Sequence, residues 1–205
     1  SLDLLKSYSK DKDIKESPPI DPIDIIEYLG YDIDYRNDGI YEDKNILGGL
    51  NIDKKNVEVN EKANTHEGRE NFTLAHEIGH ILLHSERISL NNNEKLCRTE
   101  AGIDINTPDQ LEWEADKFAA FLLMPTENVK IAFNSIRNKP LYLRRNILFR
   151  YLLKRSLRTS SINFSRKVIE AGNFTNVSKL AMVNRLIGMG LIRGLRYQKN
   201  KDSKS

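Results

Sequence analysis

The sequence predicts an α+β fold: helices with a small twisted, mostly antiparallel sheet, followed by a basic all-helical region of helix-turn-helix outline. Three observations carry this reading. Short strand-like segments crowd residues 31–59, and longer helix-periodic segments follow at 72–84 and 111–124. The charge then changes sign. Residues 1–139 hold 17 Lys and Arg against 27 Asp and Glu, a net of −10, whereas residues 140–205 hold 15 against 2, a net of +13.

A chain of 205 residues suits one or two small domains and can bury a core. No apolar run approaches the ~18–20 residues of a membrane span, so no membrane association is expected. The start, SLDLLKSYSKDKD, has no apolar stretch behind a basic end and does not read as a secretory signal. Cys97 is the sole cysteine, which excludes an internal disulfide and fits a reducing, cytoplasmic setting. Cys97 itself reads as inert.

Residues 1–20 are a polar, mobile lead-in with room for one short helix. Asp21-Pro22 is an N-cap followed by Pro at the first helical position, and Gly30 is a stop. Ile23, Ile25, Ile26 and Leu29 form the apolar face between them. Tyr31 to Tyr35 alternates as a strand does. Two more strands follow at 46–52 and 56–59, joined by Asp53-Lys54-Lys55. Gly48-Gly49 marks either a bulge or a close approach of backbone, and an edge strand there could hold an extended peptide. The next helix starts near Asn64 or Thr65. Residues 85–106 are too irregular to assign. Thr107-Pro108-Asp109-Gln110 is a capping box, and its helix carries Leu111, Ala115, Phe118 and Leu122 before halting at Pro125.

Within the helix over 72–84 lies His76-Glu77-Ile78-Gly79-His80. Histidines four apart share one helix face, one turn from each other. Two neutral imidazoles so placed can take two corners of a zinc tetrahedron, and Glu77 beside them can act as general base toward a water that the metal acidifies. Phe72, Leu74, Ala75, Ile78, Ile81, Leu82 and Leu83 make the helix largely buried. A glutamate buried between two histidines without a metal would cost several kcal/mol. His84, one turn further, reads as structural, and His66 as a surface residue.

A zinc site of this kind needs a third protein ligand and keeps its fourth position open. The helix after Pro108 offers Glu112, Glu114 and Asp116. Glu112 and Asp116 are i,i+4 neighbours, whereas Glu114 lies roughly 200° round from Glu112. One glutamate can therefore approach the histidines, not both. The pairing favours Glu112 as ligand, with Asp116 accepting the free N–H of a ligating His. Glu114 is the alternative. The oxyanion donor is open among Tyr35, Tyr41 and Tyr142.

The pair FTLAHEIGHILLH and EWEADKFAAFLLMP resembles the ImmA/IrrE family of bacterial metallopeptidases, in which H-E-x-x-H is followed by E-x-E-A-[DN]-x-F-A and L-L-x-P. The likeness spans about residues 22–125. It extends more weakly to NFTNVSKLAMVNRLIGMGLI, similar to the family ending V-S-x-x-A-x-x-x-R-L-x-x-L-G. The resemblance implies a zincin-like, cytoplasmic zinc endopeptidase with one Zn2+ held by His76, His80 and Glu112 or Glu114, and with Glu77 catalytic. It also implies a protein substrate, a helix-turn-helix repressor whose cleavage relieves repression in a phage, mobile-element or stress response. No longer H-E-x-x-H-x-x-G-x-x-H motif is present, so Met124 is not a Met-turn residue.

The basic region is expected to form helices at 127–138 (capped by Thr126), 141–157, 162–171 and 177–188, with a turn at Gly172-Asn173-Phe174. Lys179 and Arg185 on the last helix are candidate contacts for DNA or a partner protein. The plainer reading is that the basic and acidic parts attract each other within the molecule. The expected organisation is thus 1–20 lead-in, 21–139 zinc metallopeptidase domain, 140–197 basic helical region and 198–205 disordered tail. The rival function is a non-proteolytic zinc-containing regulator that binds DNA or a repressor through the basic region. The oligomeric state is left open.

Overall fold

The structure is a computed structural model that describes residues 2–15, 17–40, 46–90, 97–99, 110–143 and 157–195, with backbone alone at 87–90 and 97–99. The lead-in differs from its mobile expectation. It forms the 11-residue helix α1 (Leu2–Lys12), and Leu5 and Tyr8, three apart on one face, are buried in the core. Its partner is the next helix, α2 (Pro22–Tyr28). There the Tyr8 hydroxyl donates to Asp24, and Lys12 Nζ donates to the same carboxylate at 3.1 Å. Asp21 caps α2 as expected, accepting from the Ile23 N–H at 2.9 Å. Gly30 ends it at φ +78°, a left-handed conformation that costs glycine nothing.

Four strands follow: β1 (Asp32–Arg36), β2 (Ile46–Asn51), β3 (Asn56–Asn60) and β4 (Cys97–Thr99), in the order β1-β3-β2-β4. β2 is antiparallel to both β3 and β4, while β1 joins β3 in parallel, so the sheet is mixed. Val57 and Val59 point into the core at every second position. The strand with Gly48-Gly49 is not an edge. β4 hydrogen-bonds along its far side, opposite Gly48 and Gly49, with a register shift between Ile46 and Gly48. The irregular stretch at 85–106 supplies that strand, a nonlocal pairing that no local pattern announces.

The long helix α3 (Glu67–Leu90) crosses this sheet. It begins at Glu67, later than 64 or 65, because Asn64 is engaged in joining strand to helix. Its amide donates to the carbonyls of Leu47 and Asn60, each at 2.8 Å, and its oxygen accepts from Thr73 Oγ1 at 3.0 Å. Helix α4 (Gln110–Leu123) packs along α3, burying Leu111, Ala115, Phe118 and Leu122 as the pattern predicts. The capping box at Thr107-Pro108 lies outside the described residues.

Helix α5 (Thr126–Ile136) starts with Thr126 as its first residue and no side-chain cap. The Thr126 hydroxyl is occupied, accepting from Arg185 at 2.8 Å. The helix expected from residue 141 begins instead as the short strand β5 (Leu141–Tyr142), and residues 144–156 lie outside the described ones. β5 pairs in parallel with β6 (Ile192–Arg193), again a contact distant in sequence. Between them stand α6 (Leu157–Gly172) and α7 (Lys179–Gly188), the latter capped by Ser178. Val168, Phe174, Met182, Leu186 and Ile192 belong to the same buried cluster as Ile25, Val57 and Leu74. No helix among the described residues is long and apolar enough to cross a membrane.

Burial raises the Tyr8 hydroxyl well above its ordinary 10.0, with Asp24 adding to the effect; the hydrogen bonds from Tyr8 and Lys12 hold Asp24 below its ordinary 3.8. A depressed carboxylate stabilises above its unfolded pKa, and a raised phenol stabilises below its own. Tyr8→Phe should therefore cost about 1 kcal/mol on a plateau between those two values. The gap should shrink as pH falls below 3.8 and as it rises past 10.0. Denaturant melts across pH test this, and a gap unchanged at both extremes would contradict it.

Candidate metal centre

Beside its buried apolar residues Leu74, Ala75 and Ile78, α3 turns a polar row to the interior. Thr73, His76, Glu77, His80 and His84 are all buried, yet Leu82 and Leu83, expected on the buried flank, are 41% and 52% exposed. Helix geometry explains the exchange. His84 lies about 40° from His80, whereas Leu82 is roughly 200° round; Leu83, nearer in angle, is left exposed on the flank. The face holding the histidines is the one that α4 covers.

Gly79 sets how near α4 comes. A Cβ on Gly79 would stand 3.0 Å from the Ala115 Cα and 3.2 Å from the Phe118 Cβ. With glycine facing alanine, one turn of α4 lies directly over the histidines. Glu112 Oε2 is 3.1 Å from His76 Nε2, and its Oε1 is 3.3 Å from His80 Nε2. The two imidazole Nε2 atoms are 2.9 Å apart. Asp116 Oδ1 meets His76 Nδ1 at 2.9 Å from the other side. Glu114 reaches neither His76 nor His80 in this arrangement; its Oε2 meets His84 Nε2 at 3.0 Å.

Among the described residues His76, His80 and Glu112 form a group able to hold a metal ion, with one donor atom from each converging. Two imidazole nitrogens and a carboxylate oxygen are the ligand set of a catalytic zinc site that keeps one position open. Metal–ligand bonds of ~2.0–2.1 Å in a tetrahedron set neighbouring donors about 3.3 Å apart, close to the separations found here.

The local field agrees with a cation. Burial disfavours the charged form of His76, but the bonds to Asp116 and Glu112 outweigh it and lift the imidazolium to about 9. Burial takes His80 down to about 4, against the pull of Glu112. Glu112 is pushed upward by burial, yet its bonds to the two histidines hold it at about 2.

Glu77 is buried and lies against the backbone of β2. A Cβ on Gly48 would be 2.9 Å from Glu77 Oε1 and 2.4 Å from Thr73 Cγ2. The Gly48-Gly49 reading as a close approach therefore applies to Gly48, alongside the irregular register. Gly79 is the site-forming residue to which the sequence pattern assigned no role. Tyr35 donates to Glu70 at 2.8 Å, Tyr142 accepts from Arg193 at 3.0 Å, and Tyr41 lies outside the described residues.

Arg185 is not the surface contact that the sequence suggested. It is buried: Nε donates to the Met124 carbonyl at 3.0 Å, and the guanidinium lies 4.0 Å from the Phe121 ring centre. It braces α7 against the α4–α5 junction, satisfying the Met124 carbonyl just past the end of α4. Lys179, at the start of α7, is exposed.

Residues 42–186 match the family model Peptidase_M78, the IrrE N-terminal-like domain, a span that contains every residue of the centre. No curated protein matches the chain.

Asp116→Asn removes the anion behind His76 while sparing the three donors. Zinc affinity, measured by competition with a chelator, should fall roughly 10–100-fold. Glu112→Ala should fall further, because a donor itself is lost. An affinity for Glu112→Ala equal to that of the unmutated protein would remove Glu112 from the ligand set.

Proposed function

The chain belongs to the Peptidase_M78, IrrE N-terminal-like family, and from that premise we propose that it is a zinc-dependent endopeptidase acting on a regulatory protein. The observation that carries the reading is the convergence of His76, His80 and Glu112 beside the buried carboxylate of Glu77. Zinc bound there would supply a Lewis acid for the scissile carbonyl and acidify a water.

The remaining work falls to the chain's own groups. Glu77 takes the proton of the attacking water and passes it to the nitrogen of the leaving amine. Its place is set by Gly48, whose missing side chain leaves room for the carboxylate. Asp116 accepts the Nδ1–H of His76 and so turns its Nε2 lone pair toward the metal position.

We infer a helix-turn-helix repressor as the substrate and a cytoplasmic setting; the support is the resemblance to ImmA/IrrE metallopeptidases. For contact with such a partner or with DNA, Lys179 is the residue whose exposure fits. Arg185 is committed to the interior and is left out.

Glu77→Gln separates this reading from a non-proteolytic regulator. The variant should fold and bind zinc, since no donor is changed, but fail to cut a co-incubated helix-turn-helix repressor that the unmutated protein cuts, as read by mass spectrometry. Equal action of the zinc-loaded variant and the unmutated protein on that partner would sink the peptidase assignment. Gly48→Ala should act in the same direction through displacement of Glu77, with zinc retained.

A further inference from the structure

We propose that His84 and Glu114 form a relay that positions His80, so that the two histidines of the metal centre are held by unlike outer partners. The proposal rests on reading His76, His80 and Glu112 as metal ligands.

The geometry is specific. His80 Nδ1 and His84 Nδ1 face each other at 2.9 Å, with ring centres 5.1 Å apart and planes inclined at 53°. His84 Nε2 stands 3.0 Å from Glu114 Oε2, and Glu114 Oε1 accepts from the side-chain amide of Gln110 at 2.6 Å. Two imidazole nitrogens at hydrogen-bond distance need one proton between them. If His80 offers its Nε2 lone pair to a metal, its proton sits on Nδ1 and is donated to His84. Then His84 Nδ1 must be bare, and its own proton sits on Nε2, facing the Glu114 carboxylate. Each proton assignment forces the next, and each group finds the partner it needs.

A merely space-filling role would not call for these residues. On the same turn two leucines face solvent while His84 is 3% exposed. An apolar side chain would fill that volume without the cost of burying an imidazole. Glu114, two residues from Glu112, is brought to the far side of the histidine row, where it serves His84. His76 is held directly by a carboxylate and His80 by an imidazole that a carboxylate orients. Ligating histidines are commonly fixed by such partners, whose loss weakens metal binding roughly 10–100-fold.

The test is zinc affinity by chelator competition, together with long-range proton–nitrogen NMR of the zinc-loaded, unmutated protein. His84→Leu should bind zinc roughly 10–100-fold more weakly while remaining folded. Glu114→Leu should weaken it less. His84→Gln, whose amide oxygen can accept from His80 Nδ1–H, should recover most of the loss. In the unmutated protein His80 should carry its proton on Nδ1 and His84 on Nε2. Unchanged affinity in His84→Leu, or a His84 proton on Nδ1, overturns the relay even if the peptidase assignment stands. Should His84→Leu fail to fold, the proton positions in the unmutated protein decide the matter. An unmutated protein that takes up no zinc overturns the metal assignment and the relay with it.

Discussion

The distance between α3 and α4 is the constraint on which the rest of the centre depends. Gly79 against Ala115 removes the side chains that would keep the two backbones apart. Only at that separation can a single turn of α4 set Glu112 on His76 and His80, Asp116 behind His76 and Glu114 on His84. Acidic side chains are short levers. Moving α4 outward by the width of a methyl group would break hydrogen bonds of about 3 Å, because such bonds weaken steeply with distance. A buried network that loses one partner leaves another charge without compensation, which typically costs 3–5 kcal/mol. The glycine and the alanine thus control chemistry that neither performs.

Holding α3 still requires anchors along its length, and the chain supplies them from distant segments. Gly68 near its start lies so close to Val177 and Ser178 that a Cβ would stand 2.6 Å from the Ser178 nitrogen. Asn71 donates to the carbonyl of Asn176, whose own amide donates to that of Ile20. On the other flank Thr73 bonds to Asn64, which holds the ends of β2 and β3. The turn between α6 and α7 therefore does structural work at the head of α3, and the lead-in and the sheet share it.

Much of the centre was legible in the sequence, because its spacing is helical. Histidines four apart, and Glu112 and Asp116 four apart on a second helix, can be placed on faces without coordinates. The angular argument admitted one of Glu112 and Glu114, and the pairing with Asp116 favoured Glu112, the one whose carboxylate groups with His76 and His80. What could not be read were distances between elements. Gly79 reads in sequence as part of a motif, and Gly48 as either a bulge or a close approach, while Gly68 carries no signal of its own. Each is explained by atoms packed against it from elsewhere in the chain. The pairing of β4 with β2 and of β5 with β6 is invisible for the same reason: strand partners are chosen by tertiary packing, not by local pattern. His84 was set aside because a third histidine in a row carries no meaning until Glu114 is seen opposite it.

Part of the basic region's charge is held inside the molecule. Its helices α6 and α7 contribute Val168, Met182 and Leu186 to the common core. A helix that buries one face in this way has only its remaining face for any partner. Arg185, on the buried face, spends its guanidinium on Met124 and Thr126 at the end of the very helix that carries Glu112. Planar and with five donors, an arginine suits such a junction, where a helix-end carbonyl and a hydroxyl must both be satisfied. The positive charge here fixes the C-terminal end of α4. Lys179, at the start of the same helix, is exposed, so any partner that α7 meets must be met by its outer residues while Arg185 supports the end of α4.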